Sequence, residues 1–325
     1  MKRKRNTWLI ALMLTCTPLA AQETSGIVGA FADVGIGARA QSLGGAYTAI
    51  VQQVNAMFWN PAGLAGIQSI GVDFSYARQF GLIPYSAFSG AIPFGQAHVV
   101  GIGILASGDQ QLRETTILAS YAIHPEDWLP EFLAGLQAGV SVKYHMANYG
   151  KNGFDPDAFP LFSPQDLAAA EAAFVQGTAS GVGVDFGLTY RASTRVFLGM
   201  ALRNVISSIS WNNGQETYAE GVPVRLILGM AYYSPGGLLV TADYESTGGS
   251  ESPNRFRFGT EKILFKLLAL RGGMGQTLAA ENQRDYSLGM GLLKQLSGYG
   301  RLSVDYAYQM NPIGSSHRFS IGFRF

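Results

Sequence analysis

The chain ends with the stretch HRFSIGFRF, from His317 to Phe325, in which apolar and polar residues alternate without interruption. Successive side chains of a β-strand point to opposite faces, and a strand of a membrane barrel meets lipid on one face and a polar lumen on the other. The stretch therefore predicts an antiparallel transmembrane β-barrel of an outer membrane. The final aromatic residue, Phe325, is similar to the signal by which barrel-assembly machinery recognises its clients.

The composition agrees with a barrel surrounded by outer-membrane lipid. The 325 residues are 47% hydrophobic but only 14% charged, which is a low charge for a soluble domain of this size. After the first 21 residues no apolar stretch reaches the roughly 20 residues that a membrane-spanning helix needs. The 41 glycines are expected where strands and a packed lumen approach closely.

The first 21 residues have the order of a secretory signal peptide. A basic start, Lys2 to Arg5, precedes an apolar run from Trp8 to Leu14 and a small-residue end at Ala20 and Ala21, which predicts cleavage after Ala21. The alternative is a lipoprotein signal that ends at Cys16. Because Cys16 is the one cysteine of the chain, we expect neither a disulfide nor thiol catalysis.

Removal of the signal peptide leaves 19 of the 23 Lys and Arg residues against 22 acids. The mature chain therefore has no basic excess, and we expect no nucleic-acid partner.

Segments of period two recur along the chain and predict fourteen strands, an even number typical of bacterial barrels. The alternative is twelve strands, because the strand boundaries near Pro84 and Leu267 are poorly defined. The segments are Ile70–Arg78, Tyr85–Phe94, His98–Ser107, Thr115–His124, Leu136–Ala147, Val182–Arg191, Arg195–Asn204, Val224–Ser234, Leu238–Thr247, Arg255–Ile263, Leu267–Gly275, Tyr286–Lys294, Arg301–Met310 and His317–Phe325.

The connections predict which end of the barrel faces the periplasm, because outer-membrane barrels have short periplasmic turns and longer external loops. The expected tight turns are 95–97, 192–194, 235–237 and 264–266, and the expected loops are 148–181, 205–223, 248–254 and 276–285. The segment 124–135 is long where a turn is expected. Within the longest loop, Ser163 precedes Pro164 and an Ala-rich run, which predicts a capped helix up to Phe174.

The alternation also predicts which charged residues face the lumen. Acids and bases are interspersed, which favours a network that holds the barrel together; a ladder that selects charged solutes is the alternative. The residues that we expect to form this network are Asp73, Lys143, His145, Asp185, Arg191, Arg203, Asp243, Arg257 and Asp305.

The segment before the first strand differs from a barrel strand. It contains RAQSLGGAYTAI, residues 39–50, and NPAGL, residues 60–64. Its small residues allow close backbone packing, and Asn60 followed by Pro61 would stop a helix. We therefore divide the chain into a signal peptide (1–21), a plug in the barrel lumen (22–69) and the barrel (70–325).

At these residues the chain resembles the FadL-like superfamily of outer-membrane barrels, and within it the PorV/PorQ branch. The similar positions are Arg39, Gly44, Gly45, Asn60, Pro61 and Ala62. The resemblance implies a fourteen-stranded barrel with an N-terminal plug. Members of this family often have two aspartates between the two parts of the motif, where this chain has Gln52 and Gln53.

The resemblance implies two functions. FadL-like proteins pass hydrophobic small molecules through a plugged barrel, and the candidate lining of a binding pocket here is Phe31, Tyr47, Phe58 and Trp59, unless these residues only pack the plug on the wall. The PorV/PorQ branch is associated with type IX secretion, as an adaptor that binds secreted cargo or the translocon. For an adaptor, the loops 148–181 and 205–223, with Trp211 and Tyr218, would be the contact surface.

The sequence does not favour an enzyme. The four histidines, His98, His124, His145 and His317, lie on different predicted strands or at their ends, without the spacing of a zinc site or of a catalytic triad. The glycine-rich runs do not connect a strand to a long helix, so no cofactor is expected.

Overall fold

A computed structural model describes residues 35–108, 112–125, 130, 133–150, 163–172, 176–214, 216–248, 253–278, 283–312 and 314–325. The predicted signal peptide and Phe31 lie outside the described residues. Among the described residues, no helix is both long enough and apolar enough to cross a membrane.

The described chain is almost entirely strand. The strands are β1 Gly71–Gln79, β2 Ile83–Phe94, β3 His98–Gly108, β4 Leu112–Ile123, β5 Leu136–Tyr149, β6 Gly177–Arg191, β7 Val196–Asn212, β8 Thr217–Gly221, β9 Arg225–Tyr233, β10 Leu238–Thr247, β11 Asn254–Leu264, β12 Leu268–Leu278, β13 Arg284–Leu296, β14 Gly300–Asn311 and β15 Gly314–Arg324.

All strand neighbours are antiparallel, and the sheet closes on itself because β1 pairs with β15, from Gly71 opposite Arg324 to Arg78 opposite His317. The strands β8 and β9 both pair with the long strand β7, one after the other. They therefore occupy one position in the wall, separated by residues 222–224. The result is the predicted closed barrel of fourteen strands, which removes every edge except that of β8 among the described strands.

The prediction of a loop over residues 205–223 is wrong. These residues extend β7 to Asn212 and then return as β8. The alternation was hidden because Asn204 has a positive φ of 57° and the pairing of β6 with β7 shifts register between Val184 and Phe186. Two extra residues of β7 are accommodated there, because Val184 lies opposite Ile206 and Phe186 lies opposite Leu202; odd-numbered residues therefore face the lumen on both sides of Asn204.

The two ends of the barrel differ in their connections. At one end, which we call the turn end, β1 starts, β15 finishes, and the turns 95–97, 234–237, 265–267 and 297–299 are short. The opposite, loop end includes the connection between β5 and β6, where the predicted helix is confirmed as α2, Pro164–Ala172. The Ser163 hydroxyl accepts a hydrogen bond from the Asp166 backbone N at 3.2 Å, as an N-cap does. The loop end also has a tight connection, residues 80–82.

Residues 35–69, the luminal segment, lie inside the barrel and follow its inner wall. The short helix α1, Ala38–Ser42, packs against β12–β15, and the 3-10 helices Val54–Phe58 and Pro61–Leu64 pack against β1–β6. Residues 43–49, between these helices, contact the remaining wall strands, β7 and β9–β11. The luminal segment thus touches all fourteen positions of the wall.

A belt of inward-facing glycines makes this close docking possible. A β-carbon on Gly199 would lie 2.4 Å from the Thr48 carbonyl oxygen, and one on Gly273 would lie 2.1 Å from the Gly44 backbone nitrogen. Such distances are far inside van der Waals contact, so only glycine fits. The wall glycines whose β-carbon would meet the luminal segment within 3.0 Å are Gly71, Gly101, Gly103, Gly139, Gly187, Gly199, Gly229, Gly259, Gly273 and Gly289.

Replacement of one glycine of this belt by alanine should dislodge the luminal segment. Gly273→Ala forces a methyl group into the segment backbone, and overpacking of this kind costs about 1–3 kcal/mol. We expect a lower melting temperature and faster proteolysis within residues 35–69. The matched control is Gly272→Ala, because a β-carbon at this outward position meets nothing closer than Leu288 Cδ2 at 4.0 Å. Equal stability of the two variants would show that the belt does not hold the segment.

Candidate functional site

The Asp243 carboxylate of β10 fixes the middle of the luminal segment. Its Oδ2 accepts hydrogen bonds from the backbone N atoms of Tyr47 and Thr48, both at 2.9 Å, and from Thr48 Oγ1 at 2.7 Å. Asp243 is 1% exposed. Because a buried carboxylate needs donors to offset its desolvation, Asp243 and residues 47–48 stabilise each other's position.

Asn60 is the second anchor and explains the Asn-Pro-Ala motif. Its Nδ2 donates to the Thr48 carbonyl at 2.7 Å and to the Leu188 carbonyl of β6 at 3.1 Å, and its Oδ1 accepts from the Ala62 backbone N at 3.1 Å. Asn60 therefore caps the 3-10 helix that begins at Pro61. One side chain joins two parts of the luminal segment to the wall.

Arg39 connects the luminal segment to a chain of ion pairs on the wall. Its guanidinium donates two hydrogen bonds to Glu261, at 2.7 and 2.8 Å. Arg271 pairs with the same carboxylate at 2.5 Å and with Asp305 at 2.6 Å. Bidentate pairs of this type fix orientation as well as charge.

The aromatic residues proposed as a ligand pocket pack in the core of the luminal segment. Tyr47, Phe58 and Trp59 are each 9% exposed or less, and the rings of Tyr47 and Trp59 are 5.8 Å apart. Trp59 Nε1 donates to the Ile36 carbonyl at 2.9 Å. Burial raises the pKa of the Tyr47 hydroxyl to about 12, so it remains a neutral hydrogen-bond donor.

A cavity of about 1420 Å³ lies between the luminal segment and the turn end. We call it the vestibule. Tyr47 and Arg39 line it from the luminal segment, and Arg191, Arg301 and Arg324 line it from the wall. Its lining is mostly polar, which does not suit a hydrophobic ligand.

The lumen on the loop side of the segment contains further buried ion pairs. Lys143 pairs with Asp185 at 2.7 Å and donates to Asn204 Oδ1 at 2.6 Å. Glu245 pairs with Arg257 at 2.5 Å and with Arg225 at 3.1 Å. The arrangement combines one pair of opposite charges with one carboxylate shared by two arginines, rather than a row of one charge.

The other residues of the predicted luminal network lie as follows. His145 is fully buried, with Nδ1 2.9 Å from the hydroxyl of Thr116. Asp73 accepts a hydrogen bond from Ser75 at 2.9 Å, and Arg203 lies opposite Arg225 in the pairing of β7 with β9.

An aromatic row lies at the loop end, on the strand faces that point inward. It consists of Tyr149 on β5, Trp211 on β7 and Tyr218 on β8. The Trp211 ring lies 5.9 Å from that of Tyr149 and is stacked 6.4 Å from that of Tyr218. Trp211 Nε1 donates to Glu220 at 3.0 Å, and Tyr218 is 49% exposed. The row therefore presents open aromatic surface at the barrel mouth.

Small apolar residues pack against the row on the side away from the barrel mouth. Trp211 packs on a cluster of Ala147, Ala179, Ile209 and Val222. The sequence had placed Trp211 and Tyr218 on an external loop; the register of β7 against β6, with Trp211 opposite the buried Ala179, turns them to the inside. The alternation of Ile209 and Trp211 with serine was the signal that could have shown this.

In the described part of the chain, no group of three or more His, Cys, Asp or Glu residues could hold a metal ion.

Replacement of Asn60 by alanine should loosen the luminal segment and raise ion leakage through the barrel. Asn60→Ala leaves two carbonyls and one backbone N–H without their partner, at a cost of about 2–4 kcal/mol. We expect a higher open conductance in planar lipid bilayers than for the wild type. Asn212→Ala, at the last residue of β7, where the side chain accepts a hydrogen bond from the Gly214 backbone N at 2.7 Å, is the control and should not change the conductance. Equal conductance of the wild type and Asn60→Ala would contradict the anchoring role.

Comparisons with known proteins give the fold but no sequence family. No family model and no curated protein sequence matches the chain. Among solved structures, the CymD monoaromatic hydrocarbon channel is similar, with a TM-score of 0.59 at 16% identity over 89% of this chain and 96% of the other. The Pseudomonas putida toluene transporter TodX gives 0.55 at 14% identity over 88% and 96%.

A Pseudomonas aeruginosa FadL homologue gives a TM-score of 0.56 at 11% identity, over 90% of this chain and 98% of the other. At these identities the similarity establishes the fold alone. The chain therefore has the fold of the FadL-type barrels, a closed antiparallel barrel of fourteen strands.

Proposed function

We propose that this chain binds hydrophobic small molecules at the aromatic row and passes them across the outer membrane, with the turn end toward the periplasm and residues 1–21 removed during export. The observation that supports this most directly is the inward-facing row of Tyr149, Trp211 and Tyr218 at the barrel mouth. Similar barrels are described as channels for monoaromatic hydrocarbons or for toluene, and a ring-sized apolar ligand is the ligand class that such a row suits.

The row has the chemistry of a capture site. Aromatic rings bind a flat apolar solute by offset or tilted stacking, worth about 0.5–1.5 kcal/mol per ring beyond the area buried. Tyr218 offers exposed ring surface, while the small side chains of Ala147 and Ala179 leave the floor apolar. The hydrogen bond of Trp211 to Glu220 holds the central ring in place. Binding at this site would therefore require little reorganisation.

The lumen beyond the row is a poor path for an apolar solute. It contains the Lys143–Asp185 and Glu245–Arg257 pairs, whose separation by an apolar molecule would leave buried charges unpaired. The luminal segment then lies across the lumen on its glycine belt. Passage straight down the axis would require breaking both arrangements.

The wall next to the row offers a route with fewer contacts to break. Residues 222–224 interrupt the strand between β8 and β9, and the positive φ of Asn204 interrupts β7 at the same level. The Asn204 backbone N donates there to Asp185 Oδ1 at 2.8 Å, its Oδ1 accepts from Lys143, and its Nδ2 donates to the Pro223 carbonyl at 3.4 Å. We therefore propose that the solute leaves the row sideways, through this break, into the apolar part of the membrane.

Loss of the central ring of the row should reduce uptake. In cells that express Trp211→Ala, we expect the initial rate of naphthalene uptake to fall about five- to tenfold, because one stacking ring and its buried area are lost. The matched control is Tyr244→Ala, an outward-facing aromatic of β10 with 40% exposure. It should take up naphthalene at the wild-type rate.

An unchanged rate in Trp211→Ala, at equal amounts of folded barrel, would contradict the capture site. Uptake that fell equally in both variants would point to a general loss of barrel rather than to the row.

The PorV/PorQ resemblance implies the alternative of a secretion adaptor, for which we expect different partners. An adaptor would copurify with a large translocon or with secreted cargo from gently solubilised outer membranes. The surface assigned to it is smaller than the sequence suggested, because Trp211 and Tyr218 face the barrel interior. Copurification of such partners without any apolar ligand would favour the adaptor over the channel.

A further inference from the structure

Three lysines lie together on the outer surface at the turn end. They are Lys262 on β11, Lys266 in the turn that follows, and Lys294 on β13. The described ranges contain four lysines, and the fourth, Lys143, is buried in the lumen. The clustering is therefore a feature of this patch and not of the surface in general.

The strand register places Lys294 beside the turn that carries Lys266, because the Leu293 backbone N donates to the Leu267 carbonyl at 2.7 Å. Lys262 is level with Leu270 and Met290, four residues farther from the turn end than Lys294. Each of the two strand lysines lies three residues before a turn, 265–267 for Lys262 and 297–299 for Lys294. Both point outward, because Glu261 on β11 and Gly291 on β13 face the lumen, where they approach Arg271. With β12 between them, the two strands are roughly 10 Å apart.

The three ammonium groups have no acidic partner among the residues that the structure describes. No carboxylate in the described part of the chain lies within 4 Å of any of them. Lys262 Nζ donates one hydrogen bond to the Gly236 carbonyl, in the neighbouring turn, and so points toward the turn end with donors to spare. A lysine at the edge of the apolar band directs its ammonium to the headgroup level in this manner.

Apolar and aromatic side chains surround the lysines. Phe265 is 92% exposed and Tyr299 is 77% exposed, one in each flanking turn. Leu270 and Leu292 continue the outward face toward the middle of the membrane and are 44% and 54% exposed. The patch thus combines positive charge at headgroup depth with an apolar surface beside it.

We propose that this patch, Lys262, Lys266 and Lys294 with Phe265 and Tyr299, is a binding site for an anionic phospholipid of the periplasmic leaflet. The ammonium groups pair with the lipid phosphates, and the acyl chains lie along Leu270 and Leu292. The charge complementarity selects an anionic headgroup over a zwitterionic one. This site is on the outer wall and does not depend on what the barrel transports.

The test is native mass spectrometry of the full barrel with added lipids. The probes are cardiolipin, phosphatidylglycerol and phosphatidylethanolamine, at equal concentrations and low salt. We expect the wild type to retain the two anionic lipids at least tenfold more strongly than phosphatidylethanolamine. The triple variant Lys262→Gln, Lys266→Gln, Lys294→Gln should retain the two anionic lipids at least tenfold less strongly than the wild type, since each basic residue contributes about fivefold to affinity near an anionic surface.

The matched control removes the same charge from the outer surface at the loop end. Arg78, Arg113 and Arg284 are exposed there, and their triple replacement by glutamine should change retention less than twofold. Equal retention by the lysine variant and the wild type, or equal loss in both triple variants, would overturn the site. If the lysine triple variant does not fold, Lys266→Gln alone, in the turn, should reduce retention about fivefold; no reduction would overturn the proposal in the same manner.

Discussion

The contact on which the structure depends is the close approach between the wall glycines and the backbone of the luminal segment. A barrel of fourteen strands is too wide for its own side chains to fill, so its interior needs a second layer. Gly199, Gly259 and Gly273 let the segment backbone lie directly on the wall. The luminal segment, with little regular helix of its own, is thereby held by the wall rather than by its own secondary structure.

Close docking makes the polar contacts strong, because water is excluded from them. Asp243 accepts three hydrogen bonds from residues 47–48, and Glu261 accepts two from Arg39. These contacts fix the segment in one register on the wall. The same charged interior is an unfavourable place for an apolar solute, which is why we place capture on the aromatic row and exit at the interrupted wall.

Much of the fold follows from the sequence, because a strand between lipid and a polar lumen must alternate, and the period-two segments marked the wall strands. The alternation is interrupted at Asn204, where β7 has a positive φ and takes up two extra residues against β6, so the sequence predicts a loop over residues 205–223. The sequence predicts the turn at Asn60 and Pro61, because that signal is local. It does not predict that Asn60 binds Thr48 and Leu188, since these contacts join residues far apart in the chain.

The central claim is that the luminal segment stays docked while an apolar solute leaves through the wall. Ser320 Oγ on β15 lies 2.8 Å from the Ala38 backbone N, and neither residue is a belt glycine, so Ala38→Cys with Ser320→Cys brings two thiols close enough to be joined by a disulfide after a small shift. The measurement is naphthalene uptake by cells that express this variant, oxidised and reduced. The account predicts equal rates in both states. Uptake that stops on oxidation and returns on reduction would contradict it and show that the solute passes through a moving segment.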